Sequence, residues 1–227
     1  MKLSVIIPVY NEIGTLETIL AKIEEVPVEK EIVIVDDGSS DGTRELLAKY
    51  ERRPGYRIIY HPVNRGKGAA IRSAIGTATG DVLIIQDADL EYDPMDYLKL
   101  LKRYHPEERP VVYGSRFLNS ENKHSYHSYY LGGRLVTFIA NILFGLNLTD
   151  EPTCYKLFDS KLLKNIELKC ERFEFCPEVT AKVARRGIKI SEVPIHYFPR
   201  KITEGKKLRW TDGVAAVWTL LKYRVVK

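Results

Sequence analysis

The chain has 227 residues, of which 44% are hydrophobic, and its formal net charge is +5. This length and composition allow a buried core in one domain, or in one domain with a small appendage. No apolar run is long enough to span a bilayer, and Cys154, Cys170 and Cys176 lack metal-ligand spacing. These features argue against a membrane-spanning helix and against a cysteine-ligated metal site.

The positive charge is concentrated near the carboxyl terminus. Residues 200–227 contain eight basic and two acidic side chains, so this segment carries +6 and the remainder −1. Such a segment suits a phosphate group or an anionic surface. Met1 leads directly into an apolar run with no signal peptide, and the cysteines resemble ordinary thiols of a reducing compartment. We expect a cytoplasmic protein, with peripheral attachment to the cytoplasmic membrane face as the alternative.

Strands and helices alternate through the first half of the chain. Apolar runs of strand length are separated by amphipathic or small-residue helices, and Asn11 is expected to cap the first helix. This alternation predicts an α/β fold with a mostly parallel sheet and right-handed crossovers. The predicted strands are 3–9, 31–35, 57–60 and 82–85, and the predicted helices are 12–25, 43–50 and 69–77.

The second half of the chain is less regular. Its clearest features are an apolar helix at 129–146 and a terminal helix whose apolar residues follow helical spacing. For both helices, packing against the core is the favoured interpretation, and contact with a membrane surface is the alternative. The other predicted elements are strands at 111–116, 154–158 and 189–193 and a helix at 177–186. The terminal stripe consists of Trp210, Val214, Val217, Trp218 and Leu221.

Two carboxylates, Asp87 and Asp89, follow the strand at 82–85. If the chain turns there, both can converge on one point, and a cation would relieve their repulsion. Hard oxygen ligands, few in number, suit Mg²⁺ or Mn²⁺ that is shared with substrate phosphates. The alternative is a solvated loop with two surface acids. Polar motifs also follow the first two strands, at 8–12 and 36–41, and ligands of parallel sheets bind outside the carboxyl ends of the strands.

Four motifs occur in a fixed order in the first 120 residues. They are residues 4–12 (SVIIPVYNE), 35–43 (VDDGSSDGT), 64–69 (NRGKGA) and 87–89 (DAD). Together they closely resemble the family-2 glycosyltransferases with a GT-A fold. The later segments 114–116, 150–156, 173–178 and 193–197 resemble the branch of dolichyl-phosphate mannosyltransferases and glucosyltransferases.

This resemblance implies an organisation and an activity. It implies a single domain with a nucleotide-sugar half (1–118), an acceptor half (119–200) and a basic loop with an amphipathic helix (201–227). The implied reaction is inverting transfer of a hexose from a GDP-mannose or UDP-glucose type donor to a polyprenyl or dolichyl phosphate. A saccharide or another hydroxyl is the alternative acceptor. The partners to be tested are a membrane surface and a membrane protein.

The resemblance also assigns residues to the donor site. Asp36 and Asp37 would hold the base, while Asp87 and Asp89 would hold Mg²⁺ or Mn²⁺ against the departing diphosphate. Asp36 follows a buried strand, so its carboxylate can accept hydrogen bonds from a base or ribose, and Asp37 can equally shape the turn. The full donor set is Pro8, Tyr10, Asn11, Glu12, Asp36, Asp37, Lys67, Asp87, Ala88 and Asp89.

Arginine suits phosphate binding because its planar guanidinium contacts two oxygens at once. The candidates for phosphate or acceptor binding are Arg116, Arg134, Arg200, Lys206 and Lys207. Each alone is more often a surface residue, but Arg116 and Arg200 match arginines of the lipid-phosphate branch.

The acceptor decides whether the reaction needs a base. A lipid phosphate arrives ionised, whereas a hydroxyl acceptor requires a carboxylate to take its proton. Asp150 and Glu178 are candidates, with Glu174 weaker, and a structural role as cap or salt-bridge acid explains each equally well. The candidate catalytic set is Asp89, Arg116, Asp150 and Glu178. Cys154 stands where the branch usually has glycine, which leaves the acceptor class open.

Other functions compete with this one. A nucleotidyltransferase usually has a glycine-rich phosphate loop after the first strand, where this chain has PVYNE. A non-catalytic nucleotide-sugar-binding subunit is opposed only by the intact acids. No Gly-x-Gly-x-x-Gly motif follows the first strand, which disfavours a dinucleotide oxidoreductase. No nucleic-acid partner is expected.

Overall fold

The computed structural model describes residues 1–123, 126–200 and 210–226. One seven-stranded sheet runs through them in the order β3-β2-β1-β4-β6-β5-β7. The strands are β1 Leu3–Val9, β2 Lys30–Asp36, β3 Tyr56–Tyr60, β4 Val82–Ile85, β5 Val111–Ser115, β6 Lys156–Asp159 and β7 Ile190–Pro194. The helices are α1 Leu16–Glu25, α2 Thr43–Ala48, α3 Lys67–Thr77, α4 Tyr97–Arg103, α5 His127–Phe144, α6 Ser160–Lys164, α7 Phe175–Arg185 and α8 Trp210–Val225.

The sheet is mostly parallel, which confirms the predicted α/β class. Strands β1 to β4 pair in parallel, β6 runs against both β4 and β5, and β7 is parallel to β5. Six strands therefore end at the same edge, which we call the carboxyl edge. The sequence suggested a division into two halves at residue 118. Strand β6, which follows this residue, pairs with β4 and β5, which precede it, so both halves contribute to one sheet.

The core forms because the central strands are apolar on both faces. Val5, Ile6 and Ile7 of β1 are fully buried, as are all four residues of β4. Helix α3 packs on β1 through small residues such as Ala70 and Ala74. Strands buried on both faces have no room for polar side chains, so the charged residues collect beyond the strand ends.

Several element boundaries differ from the prediction by one to four residues, and contacts of the structure account for two of them. Helix α1 begins at Leu16 and Asn11 does not cap it, because Asn11 has a left-handed φ of 51° and its side chain accepts a hydrogen bond from the Ser40 amide. The strand expected at 154–158 begins only at Lys156. The side chain of Asn11 thus joins two loops, while the amide of Cys154 donates to Tyr92 Oη instead of to a neighbouring strand.

The predicted core packing of the two apolar helices is wrong for much of their surface. In α5 only Val136, Thr137 and Ala140 are buried. In α8 the predicted stripe is largely exposed, with Trp210 at 80% and Trp218 at 67%, and the helix instead packs through Thr219, Leu220 and Tyr223. Within the described ranges, no helix combines the length and apolar character needed to cross a membrane.

Candidate active site

The loops after β1 and β2 form one surface at the carboxyl edge. The Asn11 amide donates to Ser39 Oγ (2.9 Å), and the Glu12 amide donates to Thr43 Oγ1 (3.0 Å). The adjacent Tyr10 is about one-third exposed (37%), whereas Pro8 lies within β1 opposite Val35. The first predicted motif therefore supplies both a strand end and an exposed aromatic ring.

Asp36 and Asp37 lie at the end of β2 and are both buried. Asp36 forms a salt bridge with Arg44, whose Nη2 lies 2.7 Å from Oδ2. Asp37 accepts hydrogen bonds from His61 Nδ1 (2.7 Å) and from the amide of Gly66 (2.7 Å). Asp37 thereby fixes the turn that leads into α3. A contact between Asp36 and a nucleobase stays a prediction. It would require the Arg44 side chain to move away from the Asp36 carboxylate.

Lys67 is the first residue of α3 and reaches the end of β4. Its Nζ lies 2.6 Å from Asp87 Oδ1 and 3.9 Å from Cys154 Sγ. Burial disfavours the ammonium form, but Asp87 outweighs it and raises the pKa of Lys67. Cys154, which replaces the expected glycine, therefore lies beside Lys67. Burial raises the pKa of its thiol well above the usual value, so it is not a thiolate nucleophile.

Asp89 and Glu12 are joined through Arg200. Arg200 Nη2 lies 2.9 Å from Asp89 Oδ2, and Nη1 lies 3.3 Å from Glu12 Oε2. Burial, together with the charges of Asp87 and Glu91, raises the pKa of Asp89 to about 7 despite Arg200. Arg200 Nε is buried and finds no hydrogen-bond partner in the described part of the chain. A buried N–H of this kind is available to an anionic ligand.

Glu91 and Tyr197 complete this cluster and were not predicted as site residues. Glu91 accepts hydrogen bonds from the Arg200 amide (2.8 Å) and from Tyr197 Oη (3.1 Å). The alternation Asp87-x-Asp89-x-Glu91 was a usable signal for Glu91. Tyr197 lies in a segment that the family resemblance singled out, but nothing in the sequence indicated its contact with Glu91.

Arg116 is partly buried and forms a bidentate ion pair with the buried Asp150. Arg116 Nε and Nη2 each lie 2.7 Å from a different oxygen of Asp150. The guanidinium also lies 5.1 Å from the centre of the Tyr197 ring, which links this pair to the Glu91 and Arg200 cluster. Burial opposes the charge of Arg116, but Asp150 outweighs it and raises the arginine pKa further.

The remaining basic candidates are placed differently. Arg134 is exposed on α5, where its guanidinium lies 5.4 Å from the Phe117 ring centre and Nη1 lies 3.4 Å from the Thr149 carbonyl oxygen. Arg134 therefore borders the Arg116 pair. Lys206 and Lys207 lie outside the described residues.

Glu178 lies apart from these clusters. It is fully buried on α7 and accepts hydrogen bonds from Lys182 Nζ (2.6 Å), Tyr223 Oη (2.7 Å) and the amides of Lys169 and Cys170. Burial alone would raise its pKa, but these hydrogen bonds outweigh it and lower the pKa. A carboxylate held in this way is a weak base. The weaker candidate Glu174 accepts a hydrogen bond from the Arg172 amide.

Asp87 and Asp89 fit a divalent cation that shares substrate oxygens. No group of three or more acids, histidines or cysteines suited to a metal occurs in 1–123, 126–200 or 210–226. Two carboxylates flanking the buried Ala88 nevertheless suit Mg²⁺ or Mn²⁺, since these ions are often held by one or two carboxylates together with phosphates and water. The pKa of Asp89 is raised first by burial and then by repulsion from Asp87 and Glu91, and a cation would relieve that repulsion.

Named relatives match nearly the whole chain. An undecaprenyl-phosphate mannosyltransferase from Micrococcus luteus is 29% identical over 99% of both chains. The dolichyl-phosphate beta-glucosyltransferase ALG5A from Trichomonas vaginalis is 28% identical over 98% of this chain and 73% of its own. An undecaprenyl-phosphate 4-deoxy-4-formamido-L-arabinose transferase from Edwardsiella ictaluri is 31% identical over 89% of this chain and 62% of its own. These relatives confirm the resemblance to the polyprenyl-phosphate branch.

Solved structures share the fold at low identity. Glucosyl-3-phosphoglycerate synthase from Mycobacterium tuberculosis, in complex with Mn²⁺, UDP and phosphoglyceric acid, matches with a TM-score of 0.74 and 18% identity. The match covers 100% of this chain and 79% of that one. Mannosyl-3-phosphoglycerate synthase from Rubrobacter xylanophilus matches with a TM-score of 0.73 and 15% identity, over 98% of this chain and 72% of its own.

The family assignment rests on a match over most of the sequence. Residues 4–167 match the sequence profile of Glycosyl transferase family 2, and this range contains all four motifs at the carboxyl edge. The chain therefore belongs to glycosyl transferase family 2.

Proposed function

We propose that this protein transfers a hexose, with inversion, from a nucleoside diphosphate sugar to a polyprenyl phosphate. The observation that carries the proposal is the cluster at the carboxyl edge, where Asp87 and Asp89 meet Lys67 and Arg200. The acids suit a divalent ion, and the buried Nε of Arg200, which has no hydrogen-bond partner among the described residues, suits a phosphate oxygen. The relatives named as undecaprenyl-phosphate and dolichyl-phosphate transferases support the acceptor class.

In the proposed reaction the acceptor phosphate attacks the anomeric carbon in line with the departing nucleoside diphosphate. Mg²⁺ or Mn²⁺ held by Asp87 and Asp89 would supply charge neutralisation at the leaving diphosphate. Lys67 and Arg200 would add positive charge to the same oxygens. Loops 10–13 and 36–43 would hold the nucleoside, with the exposed ring of Tyr10 beside it.

The contacts of the candidate bases favour the phosphate acceptor over a hydroxyl. Both oxygens of Asp150 are bound to Arg116, and Glu178 is saturated by four hydrogen bonds. Neither carboxylate is therefore poised to take a proton from a hydroxyl. A phosphate needs no such base, and Arg116 and the exposed Arg134 provide positive charge for it.

A transfer assay with purified protein tests this proposal. Radiolabelled GDP-mannose and UDP-glucose are each incubated with a short-chain polyprenyl phosphate or with a simple saccharide, with Mn²⁺ or with EDTA. We expect label in the lipid phosphate fraction only, dependent on the metal, and with inverted anomeric configuration. Transfer to the saccharide alone, or transfer that EDTA leaves unchanged, would overturn the proposal.

A further inference from the structure

We propose that α5 and α8 form a docking face for an anionic lipid bilayer, next to the acceptor side of the site. This inference rests on the proposed function and names the surface that would bring the enzyme to a membrane-embedded acceptor. The docking face is defined by nine large apolar residues, each between 44% and 83% exposed. They are Leu131, Leu135, Phe138 and Ile142 of α5 and Trp210, Val214, Trp218, Leu221 and Val225 of α8.

The spacing of these residues makes each set a continuous stripe. Successive members are three or four positions apart in both helices, so they lie on one side of each helix. The opposite sides of the helices are packed, since Val136 and Ala140 of α5 form a small core with Leu220 of α8. The stripes are thus outer surfaces of two helices already fixed to each other, and a large exposed apolar patch marks an interaction site.

Charge favours a bilayer with anionic lipids as the occupant. The basic side chains Arg134, Lys222 and Arg224 are exposed and lie three or four positions from members of the stripes. Asp212 is the single acidic residue within α5 and α8. Basic side chains beside tryptophan and aliphatic residues are typical of helices that lie in the membrane interface.

The docking face adjoins the proposed acceptor site. Arg134 lies between Leu131 and Phe138 on α5, and its guanidinium stacks near Phe117 while its Nη1 reaches the Thr149 carbonyl oxygen. Phe117 and Thr149 directly adjoin Arg116 and Asp150 in the chain. A bilayer seated on α5 would therefore present lipid phosphates at the side of the molecule where Arg116 and Arg134 lie.

Vesicle flotation tests the docking face without substrate. The probes are vesicles of pure phosphatidylcholine and of equimolar phosphatidylcholine and phosphatidylglycerol. We expect the wild-type chain to float with the anionic vesicles, and the variant Leu135→Ser, Phe138→Ser, Trp218→Ser to lose at least about tenfold in bound fraction. Met95→Ser, which removes another exposed apolar side chain far from these helices in sequence, is the matched control and should float like the wild type. Equal flotation of the triple variant and the wild type would overturn the proposal.

A charge variant and a measurement of oligomeric state distinguish an anionic bilayer from a second copy of the chain as the occupant of the docking face. Lys222→Gln with Arg224→Gln should lower binding to anionic vesicles by about tenfold, since each basic residue near the surface contributes to attraction. An unchanged bound fraction would overturn the anionic bilayer as occupant. Light scattering should find a monomer. A dimer that the triple substitution dissociates, without vesicle binding, would assign the face to a second copy of the chain.

Transfer assays distinguish this inference from the proposed function. The triple variant should retain transfer to a water-soluble short-chain prenyl phosphate and lose transfer to a long-chain acceptor embedded in vesicles. If the wild type transfers to the soluble acceptor but fails to float, only the docking face is wrong. If it floats but transfers to neither acceptor, only the proposed function is wrong.

Discussion

At the carboxyl edge of β1, β2 and β4, buried strands bring charged side chains together, whereas α5 and α8 leave apolar side chains outside. In the first region basic side chains offset part of the acidic charge, because Lys67 pairs with Asp87 and Arg200 pairs with Asp89. In the second region the apolar stripes have no protein cover among the described residues. The difference indicates that the first region is organised around a small charged ligand and the second around an extended apolar surface.

The largest effect is expected from Asp89→Asn. This variant should lose about 100- to 1000-fold in sugar transfer, because it removes a charge that in the proposed function would hold the metal against the diphosphate. Its melting temperature should stay close to that of the wild type, since repulsion from Asp87 and Glu91 is relieved. The control is Asp93→Asn, because the asparagine oxygen can still accept the hydrogen bond from the Met95 amide. If both variants lost a similar fraction of transfer activity, Asp89 would have no specific role in donor binding.

Asp150→Asn should chiefly destabilise the fold. It leaves the partly buried guanidinium of Arg116 without its counter-charge, which we expect to cost about 3 kcal/mol of unfolding free energy, measured by urea denaturation. The residual transfer should keep the wild-type pH profile. If instead stability is unchanged and the acidic limb of the pH–rate profile disappears, Asp150 acts as a base and the acceptor is a hydroxyl.

Glu178→Gln tests whether Glu178 stabilises the fold or acts as a catalytic base. Because Glu178 anchors the 169–170 backbone, Lys182 and Tyr223, we expect a loss of about 1–3 kcal/mol in unfolding free energy. Transfer per folded molecule should not change. Lost transfer with intact stability would place Glu178 in the chemistry.

A smaller effect is expected at the other edge of the sheet, where an acid is buried for stability alone. Burial alone would raise the pKa of Glu31, but hydrogen bonds from Ser4, Thr79 and Lys2 outweigh it and lower the pKa to about 2 from 4.5. Its stabilising contribution is therefore complete above pH 4.5 and is lost as the pH falls towards 2.

Glu31→Gln tests this contribution. The variant should be less stable than the wild type by about 1–2 kcal/mol at pH 7. The difference in unfolding free energy should shrink between pH 4.5 and 2, as followed by denaturation at each pH. A difference that does not change with pH would show that the charge of Glu31 does not stabilise the fold.

The regular half of the fold was predictable because its signals are local. The apolar runs of β1, β2 and β4 and the turn residues after them follow from sequence, and parallel strands then require the motifs to share an edge. The side-chain contacts at that edge could not be predicted in the same way. The pairing of Asp36 with Arg44 and of Arg200 with Glu12 depends on distant segments meeting.

The helices α5 and α8 show that helical periodicity does not predict which face of a helix is buried. Trp210, Val214, Trp218 and Leu221 were correctly placed on one side of a helix, yet that side faces outward. Helical spacing identifies residues that share a face but does not reveal whether another element covers it. Val217, also in the predicted stripe, packs towards the small core of α5 and α8.

Calorimetric titration of nucleoside diphosphates tests the central claim most directly. GDP and UDP are titrated into the wild type, Asp89→Asn and Asp93→Asn, each with Mn²⁺ and with EDTA. We predict that one nucleotide binds the wild type and Asp93→Asn in the presence of Mn²⁺, and that EDTA or Asp89→Asn weakens this binding by at least about tenfold. Binding of equal affinity in all three proteins, with or without metal, would contradict a donor site built on Asp87 and Asp89.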